Sequence, residues 1–125
     1  MTSSDGKVTL VLGASANPDR VSYEALISLA ERQIPFIAVG RREYNGKNIV
    51  IQKEIPPDVS HVHTVSLYLG EANQHEYYEQ ILALEPERII FNPGTRNPEL
   101  AEMAVIQGIK VVEGCMLLML QYDEF

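Results

Sequence analysis

The residues best suited to bind a charged ligand follow an apolar segment near the start of the chain. This segment, residues 7–12, predicts a buried strand, and a helix is predicted over residues 22–32. The connection between them contains a glycine, small polar residues and an arginine: Gly13, Ala14, Ser15, Asn17 and Arg20. Backbone N–H groups and a helix N-terminus at the end of a strand bind phosphate, because both present partial positive charge. We therefore predict a diphosphate site here, and an ordinary strand–helix connection is the alternative.

A second basic group follows the next predicted strand, residues 35–39, which ends in Val39 and is followed by Gly40, Arg41 and Arg42. Arginine at this place suits a phosphorylated ribose, whereas an acidic residue there suits the ribose of NAD. Coenzyme A and NADP both carry a phosphorylated adenosine ribose, so both remain candidate cofactors. Only the first glycine of the dinucleotide fingerprint G-x-G-x-x-G is present, which counts against NADP. Solvated loop charges are the alternative interpretation of the two arginines.

Strands and helices alternate along the chain, which predicts an α/β, three-layer Rossmann-like domain with a parallel sheet. The five predicted strands are residues 7–12, 35–39, 63–69, 88–91 and 109–112. We predict the strand order 3-2-1-4-5, with the ligand at the switch point between the first and fourth strands. Asn73 and Glu76 form a capping-box pattern that opens a helix to Leu84, and Asn97 before Pro98 predicts another helix start. Residues 44–47 predict a turn, and residues 48–52 a short extended piece.

The other predicted strand ends carry further candidate residues, because the carboxyl ends of parallel strands share one edge. These are Ser66, Leu67, Tyr68, Asn92, Pro93, Gly94 and Cys115. Asn92 and Gly94 belong to a turn that can direct backbone amides toward the cleft. A lone cysteine such as Cys115 is either inert packing or a reactive thiol.

Composition limits the classes of function. The chain has 125 residues and 46% hydrophobic content, which predicts one soluble domain over residues 1–125. A net charge of −7 argues against nucleic-acid binding. No apolar run is long enough to span a membrane, and residues 1–6 lack the regions of a signal peptide, so we predict a cytoplasmic protein. A single cysteine excludes an internal disulfide, and no metal site is predicted.

The segment from Gly13 to Tyr23 carries a resemblance to a known family. Gly13-Ala14-Ser15, Asn17-Pro18-Asp19-Arg20 and Ser22-Tyr23 are similar to the G-A-S-x-x-P-x-R-x-S-Y signature of the small stand-alone coenzyme A-binding domain proteins. That Rossmann-like family is related to the N-terminal domain of the succinyl-CoA synthetase α subunit.

The resemblance covers nearly the whole chain, and it implies positions for the parts of coenzyme A. The diphosphate would lie against Gly13, Ala14, Ser15 and Arg20, and the adenosine end against residues 39–42. Residues 66–68 and 92–94 would line the remainder, with Cys115 near the thiol. This chain departs from the usual family pattern at Gly40-Arg41, where Asn-Pro is common, and at Glu113-Gly114, where Asp-Arg is common.

These observations support three hypotheses about function. The first is a non-catalytic protein that binds coenzyme A or a short acyl-CoA, with Cys115 able to form a mixed disulfide with the pantetheine thiol. The second is an NADP-binding oxidoreductase or redox sensor. The third is an interaction module with a vestigial cleft, in which residues 116–120 form a surface for a second copy or an unknown protein partner. Packing of these residues onto the sheet edge is the favoured alternative for this segment. No catalytic residue is predicted. The candidates for a general base are the three histidines, His61, His63 and His75, and we interpret them as structural or solvated.

Overall fold

Short apolar segments form the centre of a mostly parallel sheet in this computed structural model, which describes residues 7–125. The polar start of the chain, residues 1–6, on which the signal-peptide prediction depends, lies outside the described part. The strands are β1 Thr9–Leu12, β2 Phe36–Val39, β3 Tyr44–Asn45, β4 Val50–Gln52, β5 Thr64–Leu67, β6 Arg88–Phe91 and β7 Lys110–Glu113. Every residue of β1 and β5 is buried, as expected for central strands covered on both faces.

The α/β Rossmann-like class is confirmed, but the predicted strand count and order are wrong. The sheet has seven strands in the order β3-β4-β2-β1-β5-β6-β7, with β3 the antiparallel member. The predicted third strand, now β5, pairs with β1 on the side opposite β2, and β4 takes the place beside β2. The prediction failed because β4 is three residues long and is linked to β2 through the short β3 hairpin, without a helix. The switch point therefore lies between β1 and β5.

Two helical layers cover the sheet. The helices are α1 Val21–Glu31, α2 Tyr78–Leu84, α3 Pro98–Ile106 and α4 Met116–Gln121. Leu26 of α1 and Met116 of α4 share one core cluster, whereas Ile81 of α2 and Leu100 of α3 belong to the cluster on the other face. Within residues 7–125 no helix has the length and apolar character needed to cross a membrane.

Helix α2 begins later than its capping-box pattern predicts. Two 3₁₀ turns, Glu71–Asn73 and His75–Tyr77, precede it, and the side chain of Gln74 between them is completely buried. By contrast, Asn97 caps α3 as predicted, because its side-chain oxygen accepts a hydrogen bond from the Leu100 amide at 3.2 Å.

Strand β4 offers a direct test of the corrected sheet. Ile51 is 2% exposed in the core, whereas its neighbour Val50 is 49% exposed. We expect Ile51→Ala to lower the free energy of unfolding by about 2–5 kcal/mol because it leaves a cavity, and Val50→Ala to change it by less than about 0.5 kcal/mol. Urea unfolding measures both values. Equal effects of the two substitutions would contradict this placement of β4.

Candidate functional site

The connection from β1 to α1 is held in place by the end of β2. The amides of Gly13 and Ala14 both donate hydrogen bonds to the carbonyl oxygen of Val39, each at 2.9 Å. The next residue, Gly40, donates its own amide to the carbonyl oxygen of Gln52 at 2.8 Å. These bonds fix the start of the loop against the C-terminal edge of the sheet.

Two glycines make this close approach possible. Gly13 has a φ of +91°, and a Cβ there would lie 2.8 Å from the carbonyl carbon of Tyr68. A Cβ on Gly40 would overlap the carbonyl oxygen of Ala14. Any larger residue at Gly40 would therefore push the loop away from β2. This contact gives a physical reason for glycine at a position where the resemblance leads one to expect another residue.

Some of the remaining amides between Ser15 and Ser22 are used internally, and the others are open. The Asn17 amide donates to Ser15 Oγ, and the Asp19 amide donates to Asn17 Oδ1, each at 3.0 Å. The Arg20 side chain does not cap α1, although Arg20 is its N-cap residue. Within residues 7–125, four backbone amides of this segment have no hydrogen-bond partner: those of Ser15, Ala16, Val21 and Ser22. Open amides next to the positive end of a helix are the elements of an anion site.

Three arginines supply positive charge near this loop. Arg20, Arg41 and Arg42 are exposed, and none of them pairs with an acidic side chain within the described residues. Arg41 also lies near Tyr77: burial raises the pKa of that phenol, and Arg41 opposes this shift. The loop after β2 therefore lies close to the 3₁₀ turn that contains Tyr77.

Asn92 ties together the ends of two strands and the start of α4. Its side-chain nitrogen donates to Ser66 Oγ and to the Leu67 carbonyl oxygen, and its side-chain oxygen accepts from the Met116 amide, all at 2.8 Å. The side chain is 2% exposed. Because its side-chain nitrogen and oxygen already have hydrogen-bond partners, Asn92 holds the strand ends in place and does not offer these atoms to a ligand.

A cavity of about 360 Å³ opens between the ends of β6 and β7. Its lining residues include Asn92, Pro93, Gly94, Gly114 and Cys115. Arg96 and Glu113 stand at its mouth, where their charged groups are 3.9 Å apart. The cavity lies on the same edge of the sheet as the β1–α1 loop, since both follow the carboxyl ends of parallel strands.

Tyr68 has a buried hydroxyl group that makes no hydrogen bond within the described residues. Burial raises the pKa of this phenol far above its ordinary value, the nearby Cys115 raises it further, and the Ser66 side chain opposes the shift. The hydroxyl is therefore a neutral donor at ordinary pH. A buried donor without an acceptor costs free energy, which makes it a point where a ligand oxygen could bind favourably.

A buried polar network that the sequence did not indicate joins the 3₁₀ turns before α2 to the segment before α3. Gln74 Nε2 donates to the carbonyl oxygens of Leu69 and Thr95 at 2.8 and 2.7 Å, and Gln74 Oε1 accepts from Asn97 at 2.9 Å. Asn97 also donates to the Tyr78 hydroxyl at 2.8 Å. A glutamine in a predicted helix gives no sequence signal for such a role, because its burial depends on residues more than twenty positions away.

The structure brings many of the predicted site residues together at the C-terminal edge of the sheet. The side chains of some of them are buried and do not reach the surface of this edge. Val39 and Leu67 are 0% exposed and belong to the core, and Ser66 is also fully buried. Ser22 is buried at the start of α1, while Tyr23 packs against the core on the α1 face. The amides of Gly13 and Ala14 already have an acceptor, so these residues shape the loop.

Comparisons with known proteins show relatives of this chain. A family model described as a CoA binding domain matches residues 7–121. A crystal structure described as an uncharacterized protein is 42% identical with a TM-score of 0.87, and the match covers 95% of this chain and 98% of that one. No curated protein matches the sequence.

More distant solved structures share the fold alone. The cell-free ID.343 protein from Thermus thermophilus is 22% identical with a TM-score of 0.83, covering 98% of this chain and 92% of that one. A dinucleotide-forming acetyl-coenzyme A synthetase 1 from Ca. Korarchaeum cryptofilum is 13% identical with a TM-score of 0.69. That match covers 87% of this chain but 26% of the synthetase.

The orphaned hydroxyl of Tyr68 gives a prediction for the protein without ligand. We expect Tyr68→Phe to raise the free energy of unfolding by about 1 kcal/mol at neutral pH, because it removes a buried donor that has no acceptor. The difference should widen above about pH 10, where tyrosine ionises in the unfolded chain but Tyr68 stays protonated in the folded one. Urea unfolding at both pH values measures this, with the exposed Tyr122→Phe as control. A loss of stability in Tyr68→Phe would refute the assignment.

Proposed function

The chain belongs to the CoA-binding domain family, and on that premise we propose that it binds coenzyme A or a short acyl-CoA at the C-terminal edge of its sheet. The observation that carries the proposal is the set of open amides between Ser15 and Ser22, in a loop held by the carbonyl oxygen of Val39. The family model names coenzyme A and gives no support to NADP.

The diphosphate of the cofactor would lie on the open amides of Ser15, Ala16, Val21 and Ser22. Two of these amides belong to the loop and two to the first turn of α1. The positive end of the α1 dipole and the Arg20 guanidinium favour an anion there. This assignment differs from the one that the resemblance implies, because it gives Gly13 and Ala14 a shaping role instead of direct donation.

The 3′-phosphate of the adenosine would lie near Arg41 and Arg42. Both side chains are exposed and follow β2 at the edge next to the β1–α1 loop. A guanidinium group binds phosphate through two parallel N–H donors, so it holds this phosphate better than a lysine would. The NADP alternative would use the same two arginines, and therefore they do not by themselves select coenzyme A.

The pantetheine arm would extend from the switch point toward the cavity lined by Pro93, Gly94 and Cys115. The unpartnered hydroxyl of Tyr68 supports this direction, because it offers a donor to an amide oxygen of the arm. A binding role without catalysis fits the positions of the histidines. His63 precedes β5, at the edge of the sheet opposite the cleft, and His75 is exposed in a 3₁₀ turn.

Removing the two arginines tests the adenosine end of the proposal. We expect the double variant Arg41→Ala, Arg42→Ala to weaken coenzyme A by about 1–2 kcal/mol, or about five- to thirty-fold, because both contacts are exposed charge-assisted bonds. Binding of dephospho-CoA, which lacks the 3′-phosphate, should change by less than about two-fold. Calorimetric titration at one salt concentration gives both affinities.

The matched control is the double variant Lys47→Ala, Lys110→Ala, which removes the same charge from exposed positions elsewhere. It should leave the preference for coenzyme A over dephospho-CoA unchanged. Equal weakening of the two ligands in the arginine variant would remove the role given to Arg41 and Arg42. No saturable binding of coenzyme A to the unaltered chain would contradict the proposed function itself.

A further inference from the structure

Two loops at the C-terminal edge of the sheet lie between the switch point and the cavity at the ends of β6 and β7. The first loop, residues 68–77, follows β5, and the second, residues 92–97, follows β6. Because β5 and β6 are neighbours in the sheet, a pantetheine arm that ran from the switch point to this cavity would cross both loops. The spacing of the two loops would therefore affect how well the arm fits.

The main chain alone does not fix the spacing of these loops. Within residues 7–125, no main-chain hydrogen bond joins residues 68–77 to residues 92–97. The pairing of β5 with β6 ends at Leu67 and Phe91. Beyond that point the strands no longer supply partners for the main-chain polar groups, so side chains must connect the loops.

Gln74 makes this connection. Its side chain is 0% exposed, and its Nε2 donates to the carbonyl oxygen of Leu69 at 2.8 Å and to that of Thr95 at 2.7 Å. The two N–H groups of one amide are therefore shared between the two loops. Its Oε1 accepts from Asn97 Nδ2 at 2.9 Å, which ties the same amide to the cap of α3.

Both carbonyl groups held by Gln74 lie next to residues that we assign to the arm. Leu69 follows Tyr68, whose own amide donates to the end of β1 at 2.8 Å, so the main chain is held on both sides of the Tyr68 carbonyl group. Thr95 follows Gly94, which has a φ of +89° and lines the cavity. Gln74 thus fixes the main chain at the Tyr68 hydroxyl and at the Gly94 turn without reaching the surface itself.

A buried amide stabilises a loop pair only while its polar atoms are paired, and those of Gln74 are. We propose that Gln74 is a positioning residue for the pantetheine arm, because it holds the two loops at the spacing that the arm requires. Loops that are already ordered cost less free energy to bind against. This inference rests on the proposed function and concerns the part of the site beyond the diphosphate.

The phosphate groups would be held by other parts of the chain. The hydrogen-bond partners of the Gln74 side chain lie outside both the β1–α1 loop and the loop after β2. A substitution at Gln74 should therefore affect the pantetheine arm more than the phosphates. The comparison ligand is 3′-phosphoadenosine 5′-diphosphate, which has the phosphates of the adenosine end of coenzyme A and lacks pantetheine.

The test is a calorimetric titration of Gln74→Met with these two ligands, with circular dichroism to verify folding. Methionine has nearly the length of glutamine and removes the three hydrogen bonds. We expect coenzyme A to bind at least about fivefold more weakly, and 3′-phosphoadenosine 5′-diphosphate to change by less than about twofold. The matched control is Gln107→Met, since Gln107 Nε2 also donates to a main-chain oxygen, that of Leu82 at 2.7 Å, but lies before β7 at the other edge. It should leave both affinities unchanged.

The outcomes separate this inference from the proposed function. Unchanged affinity for coenzyme A in Gln74→Met, or equal weakening of both ligands, would overturn the positioning role and leave the proposed function standing. Binding of neither ligand to the unaltered chain would overturn both. If Gln74→Met does not fold, nuclear magnetic resonance of the unaltered chain decides: coenzyme A should slow solvent exchange of the Gln74 Nε2 hydrogens, and 3′-phosphoadenosine 5′-diphosphate should not. Equal exchange with the two ligands would overturn the positioning role.

Discussion

The carbonyl oxygen of Val39 accepts hydrogen bonds from two successive amides, those of Gly13 and Ala14, and the geometry of the cleft depends on this interaction. It brings the loop after β1 over the end of β2, so close that a side chain on Gly40 would overlap Ala14. With these two amides satisfied, the next ones along the loop and the first ones of α1 are left open. The end of β2 therefore determines which backbone N–H groups of the β1–α1 connection are available to a ligand.

Much of this arrangement could be predicted from the sequence, because it depends on local patterns. The apolar strand, the glycine turn and the helix after it are encoded within residues 7–32, and the similarity in that segment led to the family that the match over residues 7–121 confirms. The start of α3 was equally readable, since Asn97 before Pro98 is a local capping pattern. Local signals were sufficient wherever neighbours in sequence are also neighbours in space.

The parts that could not be predicted depend on contacts between distant segments. The short strand β4 carries little periodicity, so its pairing with β2 could not be told from an extended loop. The buried role of Gln74 depends on Thr95 and Asn97, and the buried hydroxyl of Tyr68 depends on how the chain packs around it. The acceptor that occupies the Gly13 and Ala14 amides was also invisible, because Val39 lies more than twenty residues away.

The most direct test of the account is a titration of the isotope-labelled protein with coenzyme A, followed by nuclear magnetic resonance at each backbone amide. We expect large saturable shifts for the amides of Ser15, Ala16, Val21 and Ser22, because a diphosphate would accept their hydrogen bonds. The amides of Gly13 and Ala14 should shift less, since they keep their acceptor. Saturable binding that leaves the four open amides unmoved would contradict the account.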